Sequence, residues 1–141
     1  MKHLVYALAL CFSYSAMAAT YDVLMLNKSK SGEVMVFEPA YLKIAKGDSV
    51  KFIPKDKGHS VESFKGGLPI GVAGWKGGLN KEITIKFDQE GIHVFKCVPH
   101  FAMGMVGAVQ VGAPKNLAQL KALKMSGKAG VQYAKILSQV K

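Results

Sequence analysis

Cys97-Val98-Pro99-His100-Phe101-Ala102-Met103-Gly104-Met105 packs a thiol, an imidazole and two thioethers into one short stretch, and a second imidazole, His59, stands 38 residues upstream. The strand-like run Ile92–Lys96 leads straight into Cys97, and Pro99 discourages that strand from continuing. A tight turn then returns His100 toward Cys97. Gly104 gives the backbone the freedom for a methionine to approach the same point from another side. His59 lies in Lys57-Gly58-His59-Ser60, shortly after another strand-like run, Ser49–Ile53. In a Greek-key sandwich, strands distant in sequence pair in space, so the two loops can meet at one end. Two imidazoles, one thiolate and a long axial thioether suit a mononuclear blue-copper centre. The soft sulfurs favour Cu(I) and the imidazoles suit Cu(II), so neither state is strongly preferred. Spacing alone leaves both Met103 and Met105 open for the axial place.

Zinc is the rival metal. One Cys and two His can hold zinc with a water in the fourth position, which would make a zinc-dependent enzyme domain. Methionine is a poor zinc ligand, however, and no Asp or Glu lies in the Cys97 loop to serve as a base. His93 has the same strand parity as Cys97, but four residues of strand put ~13 Å between them. It reads as an ordinary strand histidine.

Around this motif the chain is mainly β. Tyr21–Leu26, Val34–Phe37, Tyr41–Ile44, Ser49–Ile53, Glu82–Phe87, Ile92–Lys96 and Gly107–Val111 have strand composition. Turn signals such as Lys46-Gly47-Asp48 and Gln89-Glu90-Gly91 separate them. Val50 and Phe52 alternate with Ser49 and Lys51, and Ile83, Ile85 and Phe87 with Thr84 and Lys86. Short strands at this frequency predict a two-sheet Greek-key β-sandwich. Lys65–Asn80 holds six of the fifteen glycines and no period, which predicts a long excursion with at most a short helix. Two C-terminal α-helices are expected at about 116–125 and 128–140, with Gly127 stopping the first. They should cover one face of the sandwich.

The first residues read differently. Lys2 and His3 precede the apolar run Leu4–Phe12, and Ala16-Met17-Ala18 is the small-residue pattern that a signal peptidase cuts after. The run is too short to span a bilayer, which takes ~20 apolar residues. Residues 1–18 are therefore expected to be a cleaved signal peptide and 19–141 a single domain without a membrane anchor. Cys11 would leave with the signal, so Cys97 would be the lone cysteine of an exported chain. A free thiol in an oxidising compartment is a liability unless something occupies it, and a metal is the simplest occupant.

Charge narrows the partner. All 19 basic residues are lysines against 9 Asp and Glu, and the formal net charge is +10. A field of that sign fits an anionic partner. Export and the absence of arginine, the preferred side chain for bidentate contacts to bases and phosphates, argue against nucleic acid. An acidic protein face is the expected partner, met by a monomer in transient complexes.

Beyond these readings, the chain from about Tyr21 onward resembles the cupredoxins and, among them, the pseudoazurin family. The resemblance runs through Met25-Leu26-Asn27-Lys28, Met35-Val36-Phe37-Glu38-Pro39-Ala40-Tyr41, Phe52-Ile53-Pro54, Asp56-Lys57-Gly58-His59 and the stretch Lys96–Met105. It implies His59, Cys97, His100 and Met105 as the ligands of one copper ion, and so favours Met105 over Met103. It also implies an apolar patch of Met35, Pro99 and Met103 around the His100 edge, with Lys28, Lys57, Lys76 and Lys96 at its rim. The implied function is periplasmic single-electron transfer, with a copper nitrite reductase of denitrification as the acceptor. Two positions depart from the family pattern: Ser60 stands where Asn is common, and Val98 where Thr is common. Val98 has no hydroxyl to tie the ligand loops together, but the Ser60 N–H should still reach the Cys97 sulfur. A copper-delivery protein is the alternative from another class. Such carriers use ligands that release metal, which a rigid four-donor set does not suit.

Overall fold

A computed structural model describes residues 17–141. The expected signal segment lies outside the described residues except for Met17 and Ala18, which are exposed and irregular. Eight strands form two four-stranded sheets. One has the order β2 (Val34–Glu38), β1 (Thr20–Lys28), β4 (Ser49–Pro54), β6 (Ile83–Lys86). The other has the order β3 (Tyr41–Ile44), β8 (Val106–Val111), β7 (Gly91–Lys96), β5 (Glu62–Ser63). β1 pairs parallel with β4 and β3 parallel with β8, while the remaining pairs are antiparallel. Each expected strand is present. β5 is the addition: two residues are too short to show a period, and their pairing with Lys96 and Phe95 makes them a strand.

The alternation seen in sequence marks the inner face. Val50 and Phe52 of β4 are buried with Val23 and Met25 of β1 against Phe95, Val109 and Val111 of the opposite sheet. Phe95 anchors this core edge-on to both Phe37 and Phe52, with ring centroids 4.8 and 4.9 Å away. β7 and β8 show no alternation because both their faces are covered. Ile92, Val94, Val106 and Ala108 turn outward to a second core formed with Leu120, Ala129, Tyr133 and Ile136 of two helices. Those helices, α1 (Leu117–Ala122) and α2 (Gly127–Leu137), are shorter than the sequence suggests. α1 stops before Gly127 because Leu123 is extended, with ψ 126°. Leu123 and Met125 then pack into the outer core, and Gly127 opens α2 instead of closing α1.

Lys65–Asn80 carries no helix, and its one regular feature is a bridge between Glu62 and Lys76. The strand registers set the site. Met25 pairs with Pro54, Phe52 with Ile83, and Lys96 with Val106, so the ends of β1, β4 and β7 and the starts of β6 and β8 share one end of the sandwich. The loops bearing His59 and Cys97 both emerge there. Among the described residues no helix is long and apolar enough to cross a membrane.

Candidate metal centre

β7 delivers Cys97, and the return into β8 is closed by backbone bonds of its own. The Cys97 N–H donates to the Met105 carbonyl at 3.0 Å, and the N–H groups of Met103 and Met105 both donate to the His100 carbonyl, at 3.0 and 3.2 Å. Between them Phe101–Met103 forms one 3-10 turn, ended by Gly104 at φ 95°. This is the tight turn that Pro99 and Gly104 foreshadow. It places His100 beside Cys97 and sends Met105 inward, where Met105 is wholly buried and Met103 is 42% exposed.

His59 arrives from the other sheet, and the three donors converge. Cys97 Sγ lies 3.7 Å from His59 Nδ1 and 3.5 Å from His100 Nδ1, and the two Nδ1 atoms are 3.2 Å apart. Three ligands at bond lengths of ~2.0–2.3 Å around one ion produce edges of about this size. Asn27 Oδ1 accepts the Nε2–H of His59 at 2.9 Å, which leaves its Nδ1 lone pair facing Cys97 and His100. Asn27 is held in turn by Asp56, whose Oδ2 accepts the Asn27 N–H at 2.7 Å.

Burial acts on both buried donors of the cluster by disfavouring their charged forms. Burial pushes the Cys97 thiol above its ordinary pKa, while backbone N–H groups of Ser60 and His100 directed at the sulfur pull it back. The Ser60 contact is thus kept without the usual asparagine. Burial and the neighbouring His100 push His59 below the ordinary imidazole value, against a smaller opposing effect of Asp56. A neutral imidazole is the form in which histidine binds a metal, and the N–H groups directed at the sulfur would stabilise the thiolate once a metal displaces its proton. With Met105 as the fourth donor nearby in the core, the set suits a single copper ion.

His59 and Cys97 are buried, and His100 alone among the three is partly exposed. Met35 is half-buried with φ 51°, and it lines one shallow depression together with Met103 and Pro39. Pro99, Lys28, Lys57 and Lys76 are exposed. Lys96 is not: its Nζ lies 3.3 Å from Glu62 and 5.6 and 5.4 Å from the ring centroids of Phe64 and Phe101. Glu62 is also 3.9 Å from Lys76, so one carboxylate serves both lysines. His93 stays apart from the donor cluster, as its distance along the strand foretold and despite its shared parity with Cys97. It is buried edge-on to Phe87, and its Nε2 donates to the Gln89 carbonyl at 3.0 Å. Sequence reasoning missed the bracing role of Asn27, since a single asparagine near the end of β1 carries no spacing to read.

The chain is similar to known proteins in sequence and fold. A family model described as copper binding proteins, plastocyanin/azurin family, matches residues 23–112. The chain is 46% identical over 135 residues to a pseudoazurin of Paracoccus pantotrophus, an alignment covering 95% of this chain and 92% of that one. The crystal structure of native pseudoazurin from Hyphomicrobium denitrificans is 44% identical with a TM-score of 0.84, covering 86% of this chain and 98% of the other. A pseudoazurin structure from Methylobacterium extorquens is 39% identical with a TM-score of 0.81, covering 86% and 99%. With a donor set that fits one copper ion, the chain belongs to the plastocyanin/azurin family of copper-binding proteins and, within it, to the pseudoazurins, which transfer electrons and are not enzymes.

Proposed function

We propose that this chain is an exported shuttle that holds one copper ion through His59, Cys97, His100 and Met105 and carries single electrons to an acidic redox protein in the periplasm, a copper nitrite reductase of denitrification. The convergence of Cys97 Sγ and two Nδ1 atoms within 4.8 Å of one another is the observation that carries this reading. Copper supplies the one-electron couple. The protein supplies rigidity: a buried thiolate, a His59 ring pinned by Asn27 and a ligand loop closed by its own backbone bonds. His100 is the one of the three converging donors that is partly exposed, so its ring edge is the place for an electron to cross to a partner. Met35, Pro99 and Met103 form the apolar surface of that contact, and Lys28, Lys57, Lys76 and Lys96 its basic surroundings. Residues 1–18 serve as the export signal and are removed, which leaves 19–141 as one domain.

The test has two parts. The copper-loaded protein should show an intense blue thiolate-to-copper band, and the reduced form should pass electrons to a copper nitrite reductase that then reduces nitrite. A colourless protein holding stoichiometric zinc would overturn the copper reading. A blue protein that reduces other acidic acceptors but not the reductase would overturn the partner alone.

A further inference from the structure

Asn80 ends the glycine-rich excursion shortly before β6, with φ 57°. Asparagine is one of the few residues other than glycine that settles in this left-handed region. The conformation turns two groups of Asn80 onto the His59 loop. Its Oδ1 accepts the Gly58 N–H at 2.6 Å, and its own N–H donates to the His59 carbonyl at 2.8 Å. One residue thus holds backbone groups on both sides of the His59 side chain.

His59 needs such a hold more than the other donors do. Cys97, His100 and Met105 share one loop with its own hydrogen bonds, whereas His59 enters from 38 residues away behind Gly58, itself at φ 95°. Asn27 grips only the far nitrogen of the ring and leaves the backbone free to shift. We propose that Asn80 is a positioning residue for the metal centre, fixing the His59 backbone and thereby the place of Nδ1. This rests on His59 being a copper ligand. Asn80 is exposed, so water competes for its side-chain bond and the bond adds little to folding. Its effect should instead fall on the metal, at about the tenfold end of the range for outlying partners of metal ligands.

Asn80→Gly tests this cleanly. Glycine keeps the left-handed backbone and the N–H to His59, and it removes only the Oδ1 acceptor. Asn80→Asp restores an acceptor at the same place. Copper affinity should be measured by competition with a chelator, with the absorption spectrum, the melting temperature of the metal-free protein and hydrogen exchange of the Gly58 amide alongside. Asn80→Gly should weaken copper binding about tenfold, alter the thiolate bands and speed Gly58 exchange, with the metal-free melting temperature nearly unchanged. Asn80→Asp should restore affinity and slow exchange. Copper affinity and spectrum like the wild type in Asn80→Gly would overturn the inference, whether or not Gly58 exchange rises. A wild-type protein that forms no blue site would overturn the ligand reading and this inference together, whereas a blue wild type with an unresponsive Asn80→Gly overturns this inference alone.

Discussion

The buried sulfur of Cys97 is poised between two occupants. Without metal, burial keeps its proton on, while the Ser60 and His100 N–H groups are already placed to stabilise the thiolate. Copper binding must therefore release that proton, and metal uptake should weaken as pH falls. A serine hydroxyl is harder and far less acidic, so Cys97→Ser should abolish both the blue band and reversible redox activity, as absorption and voltammetry would show. Met105→Gln should act more gently. An oxygen donor in the weak axial place favours Cu(II), and each tenfold gain of Cu(II) over Cu(I) lowers a one-electron potential by ~59 mV. A fall of the potential in Met103→Gln but not in Met105→Gln would show that the axial methionine is Met103. His93 offers a test away from the copper. Burial lowers its folded pKa, with the bond to the Gln89 carbonyl only partly opposing. The unfolded chain then takes up the proton first as pH falls. The stability that neutral His93 confers is thus complete above the unfolded value of ~6.5 and drains away below it. Denaturation of the copper-loaded protein from pH 8 to 5 should show this loss on top of the weakening of copper binding, and His93→Gln should make the fall shallower.

Among the elements, β7 and β8 do most to hold the ligand loop, and their pairing depends on one small residue. Gly107 lies opposite Phe95, and a β-carbon there would run into the Phe95 ring and come within 2.9 Å of the Ala40 carbonyl oxygen. Gly107→Ala must push Phe95 off its place between Phe37 and Phe52, and it should cost ~1–3 kcal/mol. The denaturation midpoint would report this, with a blue band retained in whatever remains folded. Ile136→Ala should cost more, ~2–5 kcal/mol, because it empties the outer core between α2 and the sheet. These elements also show what the sequence could and could not tell. The motif at Cys97–Met105 was legible because a proline, a glycine and four candidate donor side chains, Met103 among them, sit within one loop. The strands were legible wherever one face meets solvent, as in Ser49–Ile53, or wherever turn residues bound them. β5 was hidden, since two residues have no period, and so was the end of α1, where burial of Leu123 overrides the stop expected at Gly127. The grip of Asn80 was hidden for another reason. It depends on a fold that brings position 80 against 58 and 59, and no local pattern announces such a meeting.

At the scale of the whole molecule, a lysine-only basic surface meets a site with one partly exposed donor. The lysines near that end are not equivalent. Glu62 lies between Lys76 and Lys96 and offsets one of their two charges, while Phe64 and Phe101 hold Lys96 down. Among the described residues, no carboxylate comes within salt-bridge distance of exposed Lys28 or Lys57. If the four lysines orient the His100 edge toward an acidic acceptor, Lys28 and Lys57 should carry most of the field. Charges at the edge of a contact act mainly on the encounter rate and its salt dependence, and little on the chemistry within. Lys28→Ala with Lys57→Ala should therefore slow bimolecular electron transfer to a copper nitrite reductase several-fold at low salt, on the order of what two steering charges supply. Lys76→Ala with Lys96→Ala also removes two positive charges and bares the Glu62 carboxylate, so it should slow transfer by a similar factor. The wild type and both double variants should converge toward physiological salt, where the screening length falls to ~8 Å. Their blue bands should coincide throughout, since no lysine is among the donors. Stopped-flow mixing across ionic strength measures all of this. A rate indifferent both to salt and to the Lys28 and Lys57 substitutions would mean that these lysines serve solubility alone, leaving the apolar patch of Met35, Pro99 and Met103 to orient the partner.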